Sequence, residues 1–113
     1  MQGTEVHLAA DAVAWEQLEP GIRRKILGYN AAMMMTLVEF KRGAVGALHS
    51  HPHTQMAFVQ SGLFDVTIDG DTRRLKAGDG YLIPSGQVHG VVALEDGVLV
   101  DVFTPMREDF VAS

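Results

Sequence analysis

The chain has 113 residues, contains no cysteine and carries a formal net charge of -5 with its histidines neutral. A chain of this length can bury a core without disulfides, and the absence of cysteine excludes both a disulfide framework and a thiolate metal site. The acidic balance argues against nucleic acid as a partner, because binding phosphates requires a basic surface. We therefore expect one domain over residues 1–113.

The N-terminal segment MQGTEVHLAADAVAW has no basic region followed by a long apolar run, so we expect no signal peptide. The longest apolar stretches are far shorter than the ~20 residues of a membrane span. We expect a cytoplasmic protein with no membrane partner. The one basic cluster, Arg23-Arg24-Lys25, is expected to be a solvated strand edge rather than a phosphate site.

The first predicted element is a helix in the segment DAVAWEQLEP, residues 11–20. Asp11 is a candidate N-cap and Pro20 a candidate stop. Trp15 and Leu18 would then lie on one helix face, three residues apart, and pack against the core.

The rest of the chain alternates short apolar runs with Gly, Pro and Asp, which is typical of strands joined by turns. Strands at this spacing indicate an all-β sandwich or barrel. The predicted elements are a strand in AAMMMTLVEF (31–40), two strands in MAFVQSGLFDVTID (56–69) divided at Ser61-Gly62, a hairpin turn in DGDT (69–72), a strand between turns in LKAGDGYLIPSG (75–86), and two strands in HGVVALEDGVLVDVFTP (89–105) around Glu95-Asp96-Gly97.

Three histidines, His49, His51 and His53, fall within five residues of one another. In a strand, side chains at i and i+2 lie on one face, so His49 and His51 point the same way, and Gln55 has the same parity. A helix would instead pair His49 with His53, but Pro52 inside that turn excludes it. The first two histidines are therefore candidate ligands of one ion.

A further candidate ligand is His89, which begins another predicted strand after a Pro-Ser-Gly turn. A strand-rich barrel can bring it opposite His49 and His51. Neutral imidazole binds Zn, Ni, Fe, Mn and Cu. The alternative interpretation is a histidine-rich surface loop that binds no metal.

The C-terminal strand carries an aspartate within an apolar run. Asp101 and Phe103 lie on one face of this strand, and Val100 and Val102 on the other. A buried carboxylate is unfavourable without a partner or a function, although an aspartate at a solvent-facing edge is the more ordinary alternative. Arg107 follows closely and suits a bidentate contact with a substrate carboxylate, or an ion pair with Asp101.

Two spaced motifs resemble those of the cupins, a family of jelly-roll β-barrels. The first cupin motif places His-x-His and a Glu between two glycines, and residues 43–62 match it with Gln55 in the Glu position. The second motif places Pro-x-Gly and a His after a Gly, and residues 78–89 match it, with Ala93 where cupins carry Asn. His53 has no place in either motif. The resemblance implies a single cupin domain with a short N-terminal arm or helix, and four metal ligands: His49, His51, Gln55 and His89.

The glutamine changes the charge of the implied site. Three imidazoles and one amide are all neutral, so a divalent ion (Ni, Zn, Mn or Fe) would keep its full charge. Such a site favours an anionic oxygen ligand and disfavours a trivalent oxidised metal. This set of ligands therefore points to a Lewis-acid role toward a carboxylate-bearing substrate rather than to oxygenase chemistry.

A narrower resemblance links the segments GIRRKILGYN, GAVGALHSHPH and DGVLVDVFTPMREDF to the KdgF proteins, cupins of pectin degradation. That family binds its metal with three His and one Gln. It converts 4,5-unsaturated monouronates, released from pectin or alginate, to linear ketonised forms. The resemblance implies that Asp101 and Arg107 are catalytic and that Phe103 and Arg107 contact the uronate.

Two alternatives of different classes stay open from the sequence. One is another metal-dependent cupin enzyme, a dioxygenase or a lyase. The other is a sugar-binding cupin without activity, in which Asp101 would have no chemical role. By analogy with small cupins we also expect a homodimer, formed by strand exchange or by sheet stacking.

Overall fold

The computed structural model of the protein describes residues 3–111. The strands are β1 (Glu16–Glu19), β2 (Ile22–Asn30), β3 (Met33–Phe40), β4 (Val45–His49), β5 (Thr54–Ser61), β6 (Leu63–Ile68), β7 (Asp71–Lys76), β8 (Gly80–Ile83), β9 (His89–Ala93) and β10 (Gly97–Thr104). A single 3₁₀ turn covers Ala10–Ala12, and a short helix α1 covers Glu108–Val111. Between residues 3 and 111, no helix has the length and apolar character needed to cross a membrane.

The strands form two antiparallel sheets that pack face to face. The six-stranded sheet has the order β1-β2-β3-β10-β5-β8, and the four-stranded sheet has the order β4-β9-β6-β7. Between them, the Phe40 ring of one sheet meets the Phe64 ring of the other edge to face, with 5.3 Å between centroids. This arrangement confirms the all-β jelly roll expected from the sequence.

Alternation along the strands decides which side chains face the interior. In β3, exposed and buried residues alternate from Met33 to Phe40, where the sequence predicts a strand over residues 31–40. In β10, Leu99, Asp101 and Phe103 are buried. Parity along neighbouring strands therefore identifies the groups that share the inner face of the six-stranded sheet.

The Asp-Gly turn expected at residues 69–72 joins β6 to β7. Asp69 has φ 50° and Gly70 has φ 80°, and Ile68 pairs with Asp71 directly across the turn. Two successive positive φ values give the primed turn that matches the twist of a hairpin. The turn prediction is therefore confirmed.

The other predicted strands are also present. β5 and β6 are divided at Gly62, where the sequence places the break between two runs. β8 lies within the segment 75–86, and β9 and β10 flank the turn at 94–96.

The helix expected over residues 11–20 is wrong. The structure has only the turn Ala10–Ala12 and the strand Glu16–Glu19 in this part of the chain. Asp11 lies inside the turn, and the capping position is taken by Ala9, which makes no side-chain capping hydrogen bond. Pairing of β1 with β2 satisfies the backbone here, while an isolated short helix would be only marginally stable.

Trp15 packs against the basic residues of β2, whereas the sequence predicts that it packs on the core from a helix. The Arg23 guanidinium lies 4.1 Å and the Lys25 ammonium 4.6 Å from the Trp15 ring centroid. Leu18, expected on the same helix face as Trp15, is 40% exposed. Arg24 is buried on the opposite face of β2, so the expectation of a solvated basic cluster is wrong for this residue.

The C-terminal helix α1 is not anticipated by the sequence analysis. Its Phe110 packs edge to face on Phe103 of β10, with 5.6 Å between ring centroids. Met34, Phe103 and Met106 form a second buried cluster against which Phe110 lies. This cluster closes one end of the sandwich, next to the histidines described below.

Candidate metal centre and adjoining cavity

Three histidines from two segments converge at one end of the barrel. His49 ends β4 and is the direct cross-strand partner of His89, which begins β9. His51 follows two residues after His49, and its ring centroid lies 4.8 Å from that of His89. One nitrogen from each ring lies within 4.8 Å of the others, so the three can reach a common ion.

Hydrogen bonds to the backbone fix which nitrogen of each ring is available. In every case Nδ1 contacts a carbonyl oxygen, which can only accept, so Nδ1 carries the proton and Nε2 keeps its lone pair. The pairs are His49 with Ala47 at 2.8 Å, His51 with His53 at 3.0 Å, and His89 with Gln87 at 2.9 Å. Such backbone contacts are the usual means of orienting histidine ligands toward a metal.

Burial favours the neutral form of two of these rings. The pKa of His51 lies below its usual value because of burial and the positive charge of Arg107. Burial is also the main cause that lowers the pKa of His89. The Nε2 of His89 is buried and has no hydrogen-bond partner among the described residues. A neutral, unpartnered imidazole nitrogen is what a metal ion requires.

Gln55, expected as the fourth ligand, lies beside His51 at the start of β5. Its Oε1 lies 3.1 Å from Nε2 of His51, while its amide also hydrogen-bonds to Asp101 and lowers the pKa of that carboxyl. With the His51 proton on Nδ1, the contact joins two acceptors. Two lone pairs at this distance repel unless a cation lies between them. The geometry of Gln55 therefore fits a shared metal ion.

The four proposed ligands thus lie together, and their chemistry fits a divalent ion. His53, for which the motifs suggest no role, contributes its carbonyl to the orientation of His51. Its own ring lies 5.4 Å from the His51 ring, and its buried Nδ1 has no partner among the described residues. This position is adjacent to the ligand set rather than within it.

Asp101 is buried in the middle of β10, between β3 and β5. It faces inward, and its Oδ1 has no hydrogen-bond partner among residues 3–111. Burial raises the pKa of Asp101 from 3.8 to about 7, although the Gln55 amide and the charge of Arg107 act in the opposite direction. The solvent-facing position considered as the alternative is therefore wrong, because β10 is an inner strand whose inward face is covered by the second sheet.

Arg107 lies between β10 and α1, close to the ring of Phe103. Its guanidinium carbon is 5.1 Å from the centroid of Phe103 and 4.2 Å from that of Phe110. Nε and Nη2 both donate to the carboxylate of Asp109, at 3.1 and 2.9 Å. That contact lowers the pKa of Asp109. The ion pair is with Asp109 rather than with Asp101, the partner considered from the sequence.

A cavity of about 370 Å³ adjoins the histidines and Asp101. Its wall includes Gln55, Tyr81 and Phe103, together with apolar side chains of both sheets. Burial is the main cause that raises the pKa of Tyr81 well above 10, and the charge of Asp101 adds to it. Gln60 lies on the opposite face of β5 from Gln55, is exposed and does not line this cavity.

Two buried polar residues of the cavity wall are not among the site residues that the sequence predicts. Thr36 of β3 has a fully buried hydroxyl, and Arg24 of β2 has a buried Nε; neither atom has a partner among the described residues. Alternation along β2 and β3 places both on the inner face and was the signal that could have found them. Phe110 also lines the cavity, and no sequence pattern singles it out.

Comparisons with known proteins agree with this architecture. The family described as Cupin domain matches residues 36–103. The pectin degradation protein KdgF of Dickeya dadantii (strain 3937) is 47% identical over 102 residues, which are 88% of this chain and 93% of that protein. The solved structure of KdgF from Halomonas sp. is 40% identical with a TM-score of 0.90, covering 95% of this chain and 99% of that one. An RmlC-like cupin from Shewanella frigidimarina NCIMB 400 is 37% identical with a TM-score of 0.95, covering 97% and 99%.

Proposed function

Because the chain belongs to the cupin family, and within it to the KdgF proteins, we propose that it is a metal-dependent enzyme of uronate breakdown. Its substrates are 4,5-unsaturated monouronates derived from pectin or alginate, and its products are their linear ketonised forms. The cavity volume of about 370 Å³ supports a monosaccharide, since it lies at the small end of the usual range of ligand pockets.

One observation carries this proposal. A buried carboxyl with an unpartnered oxygen, that of Asp101, adjoins three imidazoles with free Nε2 atoms and the oxygen of Gln55. A binding module has no need of a buried carboxyl with an unpartnered oxygen, which is unfavourable for folding unless it is used. An enzyme that moves a proton beside a Lewis acid does need one.

The ion would be held by His49, His51, His89 and Gln55, and Ni, Zn, Mn and Fe all accept this type of ligand. When bound, a divalent ion supplies a Lewis acid that neutralises the substrate carboxylate and polarises the ring oxygen. Because the four ligands are neutral, none of them competes with the substrate for that charge.

Asp101 holds and moves the proton. Its carboxylate takes the proton of the anomeric hydroxyl, whose oxygen forms the new aldehyde, while the bond from the anomeric carbon to the ring oxygen breaks. The electron pair of that bond goes to the ring oxygen, which gives an enolate. Asp101 then returns its proton to the far carbon of the double bond, and the ketone forms. One proton has moved from oxygen to carbon, and the product is an isomer of the substrate.

Arg107 and Phe103 position the sugar. The guanidinium of Arg107 is held by Asp109 and by the rings of Phe103 and Phe110, which leaves Nη1 as the donor not engaged by Asp109. A cation fixed in this way at the cavity wall attracts an anionic substrate and binds an oxygen of the sugar or its carboxylate. Phe103 offers an apolar surface to the ring.

The test follows the ultraviolet absorbance of the conjugated double bond in freshly prepared unsaturated galacturonate. We expect the protein to speed its decay above the spontaneous rate, chelator to remove the acceleration, and added divalent ion to restore it. Decay at the buffer rate with metal-loaded protein would contradict the proposal. Oxygen consumption, or the release of a second product, would support the dioxygenase or lyase alternative instead.

We also propose that the protein acts as a homodimer in the cytoplasm. The outer face of the six-stranded sheet supports the dimer, because apolar side chains continue across four strands there. One row is Met35, Val102, Met56 and Leu82, and a second row is Leu37, Val100 and Phe58. Four of these are about half exposed: Met35 at 42%, Met56 at 50%, Phe58 at 48% and Leu82 at 51%. A contiguous apolar face of this kind is typical of an interface between copies.

A further inference from the structure

Two buried polar atoms in the cavity are used by neither the metal set nor the proton transfer. They are Nε of Arg24, on β2, and Oγ1 of Thr36, on β3. Thr36 is 0% exposed and Arg24 is 8% exposed, yet neither atom has a hydrogen-bond partner among the described residues. A buried donor or acceptor without a partner destabilises a fold, so such atoms in a cavity wall are satisfied by water or by the polar groups of a ligand that displaces it.

The register of the sheet places these two residues beside each other and beside Asp101. Arg24 pairs with Val38, two residues along β3 from Thr36 on the same face, so Arg24 and Thr36 are diagonal neighbours. Thr36 is in turn the direct cross-strand partner of Asp101. All three side chains line the same cavity. A ligand that reaches Asp101 is therefore next to Thr36.

Contacts on both sides hold the Arg24 side chain in place. Its Nη2 donates to Glu16 of β1 at 2.7 Å, and its guanidinium carbon lies 3.6 Å from the centroid of the Phe110 ring. The charge of Arg24 is thus balanced by a carboxylate, while Nε–H stays free. A directional donor with a compensated charge suits a neutral oxygen better than a second anion. The threonine hydroxyl can both donate and accept, which also suits a neutral hydroxyl group.

We propose that Arg24 and Thr36 form a hydroxyl-binding subsite that positions the polyhydroxylated part of a sugar acid. This inference rests on the proposed function. It explains how the cavity distinguishes a uronate from a simple carboxylate. The metal set and Arg107 would accept almost any small carboxylate. Selection for a sugar comes from the two unpartnered groups on β2 and β3, which only a ligand with further hydroxyls can satisfy.

The main test is a binding measurement that needs no turnover. Zn²⁺-loaded protein is titrated calorimetrically with galacturonate, a saturated uronate rich in hydroxyls, and with glycolate, a small carboxylate. We expect Thr36→Val, which keeps the side-chain shape, to weaken galacturonate binding about tenfold and glycolate binding less than twofold. Thr36→Ser retains the hydroxyl and should stay within about twofold of the wild type for both ligands.

Arg24 is tested with a matched neighbour. Arg24→Met should weaken galacturonate binding at least as much as Thr36→Val. Arg23→Gln, which alters the adjacent arginine on the outer face of β2, should change neither affinity. If Arg24→Met fails to fold without its contacts to Glu16 and Phe110, the threonine variants still decide the question.

Kinetics give an independent measurement. With unsaturated galacturonate, Thr36→Val should raise KM about tenfold with kcat nearly unchanged, since the hydroxyl contact is made equally before and during the reaction. Equal losses for galacturonate and glycolate, an unchanged galacturonate affinity in Thr36→Val, or no galacturonate binding by the wild type would each overturn the inference. A wild type that selects galacturonate over glycolate but accelerates no uronate decay would contradict the proposed reaction and leave this subsite standing.

Discussion

The oxygen of Gln55 lies 3.1 Å from Nε2 of His51, and backbone contact with His53 leaves that nitrogen without a proton. The pair therefore presents two acceptors that face one position, as the proposed metal site requires. Because Gln55 is neutral, we predict that Gln55→Glu binds divalent metal more tightly than the wild type but raises KM for an anionic sugar about tenfold. The added carboxylate would partly neutralise the ion and repel the substrate.

Metal affinity by competition with a chromogenic chelator, and KM by the absorbance assay, measure the two effects separately. Gln60→Glu is the matched control, since it makes the same change on the same strand at an exposed position outside the cavity. A Gln55→Glu protein with unchanged KM and metal affinity would contradict the ligand assignment.

Asp101→Asn tests the proton transfer. The amide keeps the size of the side chain but cannot take up a proton, so we predict a loss of roughly 10²–10⁴ in kcat. Bound metal should stay near one ion per chain, because Asp101 is not one of the four proposed ligands. Asp65→Asn is the control: it removes a carboxylate from the ion pair with Arg74 on the other sheet and should leave kcat unchanged.

Turnover and metal content, the latter by atomic emission, are needed together to interpret Asp101→Asn. Loss of activity together with loss of metal would show that Asp101 supports the metal set instead of moving a proton. Full activity in Asp101→Asn would exclude it from the reaction.

The inner position of Asp101 and the convergence of the histidines illustrate how much of this site the sequence determines. Strand parity alone predicts that Asp101 and Phe103 lie on one face. The resemblance of the two motifs to those of cupins predicts that His89 lies near His49 and His51. The alternation of a strand has a fixed period and the motifs have a fixed spacing, so both can be recognised in the sequence without knowledge of the fold. The same alternation along β2 places Arg24 on the inner face. Three consecutive basic residues nevertheless favour a prediction of exposure, because the sequence does not show that Glu16 is the ion-pair partner of Arg24.

Other features depend on contacts between distant parts of the chain. The segment of residues 11–20 has helical apolar spacing, yet its residues 16–19 form a strand because the edge of β2 is available for pairing. Helix α1 is short and has no strong local signal. Its position follows from Phe110, which packs on Phe103 and on two arginines. Such tertiary contacts override weak local preferences and are not visible in a single sequence.

The proposed dimer is tested at Phe58, which lies in the apolar rows on the outer face of the six-stranded sheet and is 48% exposed. We predict that Phe58→Asp shifts the protein from dimer to monomer, because a carboxylate in an apolar interface would be desolvated without a partner. Sedimentation velocity measures the change. Val92→Asp, on the four-stranded sheet and 37% exposed, is the matched control and should leave the dimer intact. A monomeric wild type, or dissociation by Val92→Asp alone, would contradict this choice of face.

The last prediction concerns Tyr81, whose pKa burial raises well above 10, with the negative charge of Asp101 as a second cause. In the unfolded chain a tyrosine loses its proton near pH 10. Above that pH the unfolded state therefore binds fewer protons than the folded state, and stability falls as pH rises. We predict that the free energy of unfolding decreases above about pH 10 by up to ~1.4 kcal/mol per pH unit for this one group. In Tyr81→Phe the decrease should be shallower by that amount, because the ionisable hydroxyl is gone.

Urea unfolding between pH 8 and about pH 11 measures the slope, with Tyr29→Phe as the control for loss of the other tyrosine. Equal slopes for the wild type and Tyr81→Phe would show that Tyr81 ionises in the folded protein as readily as in the unfolded chain.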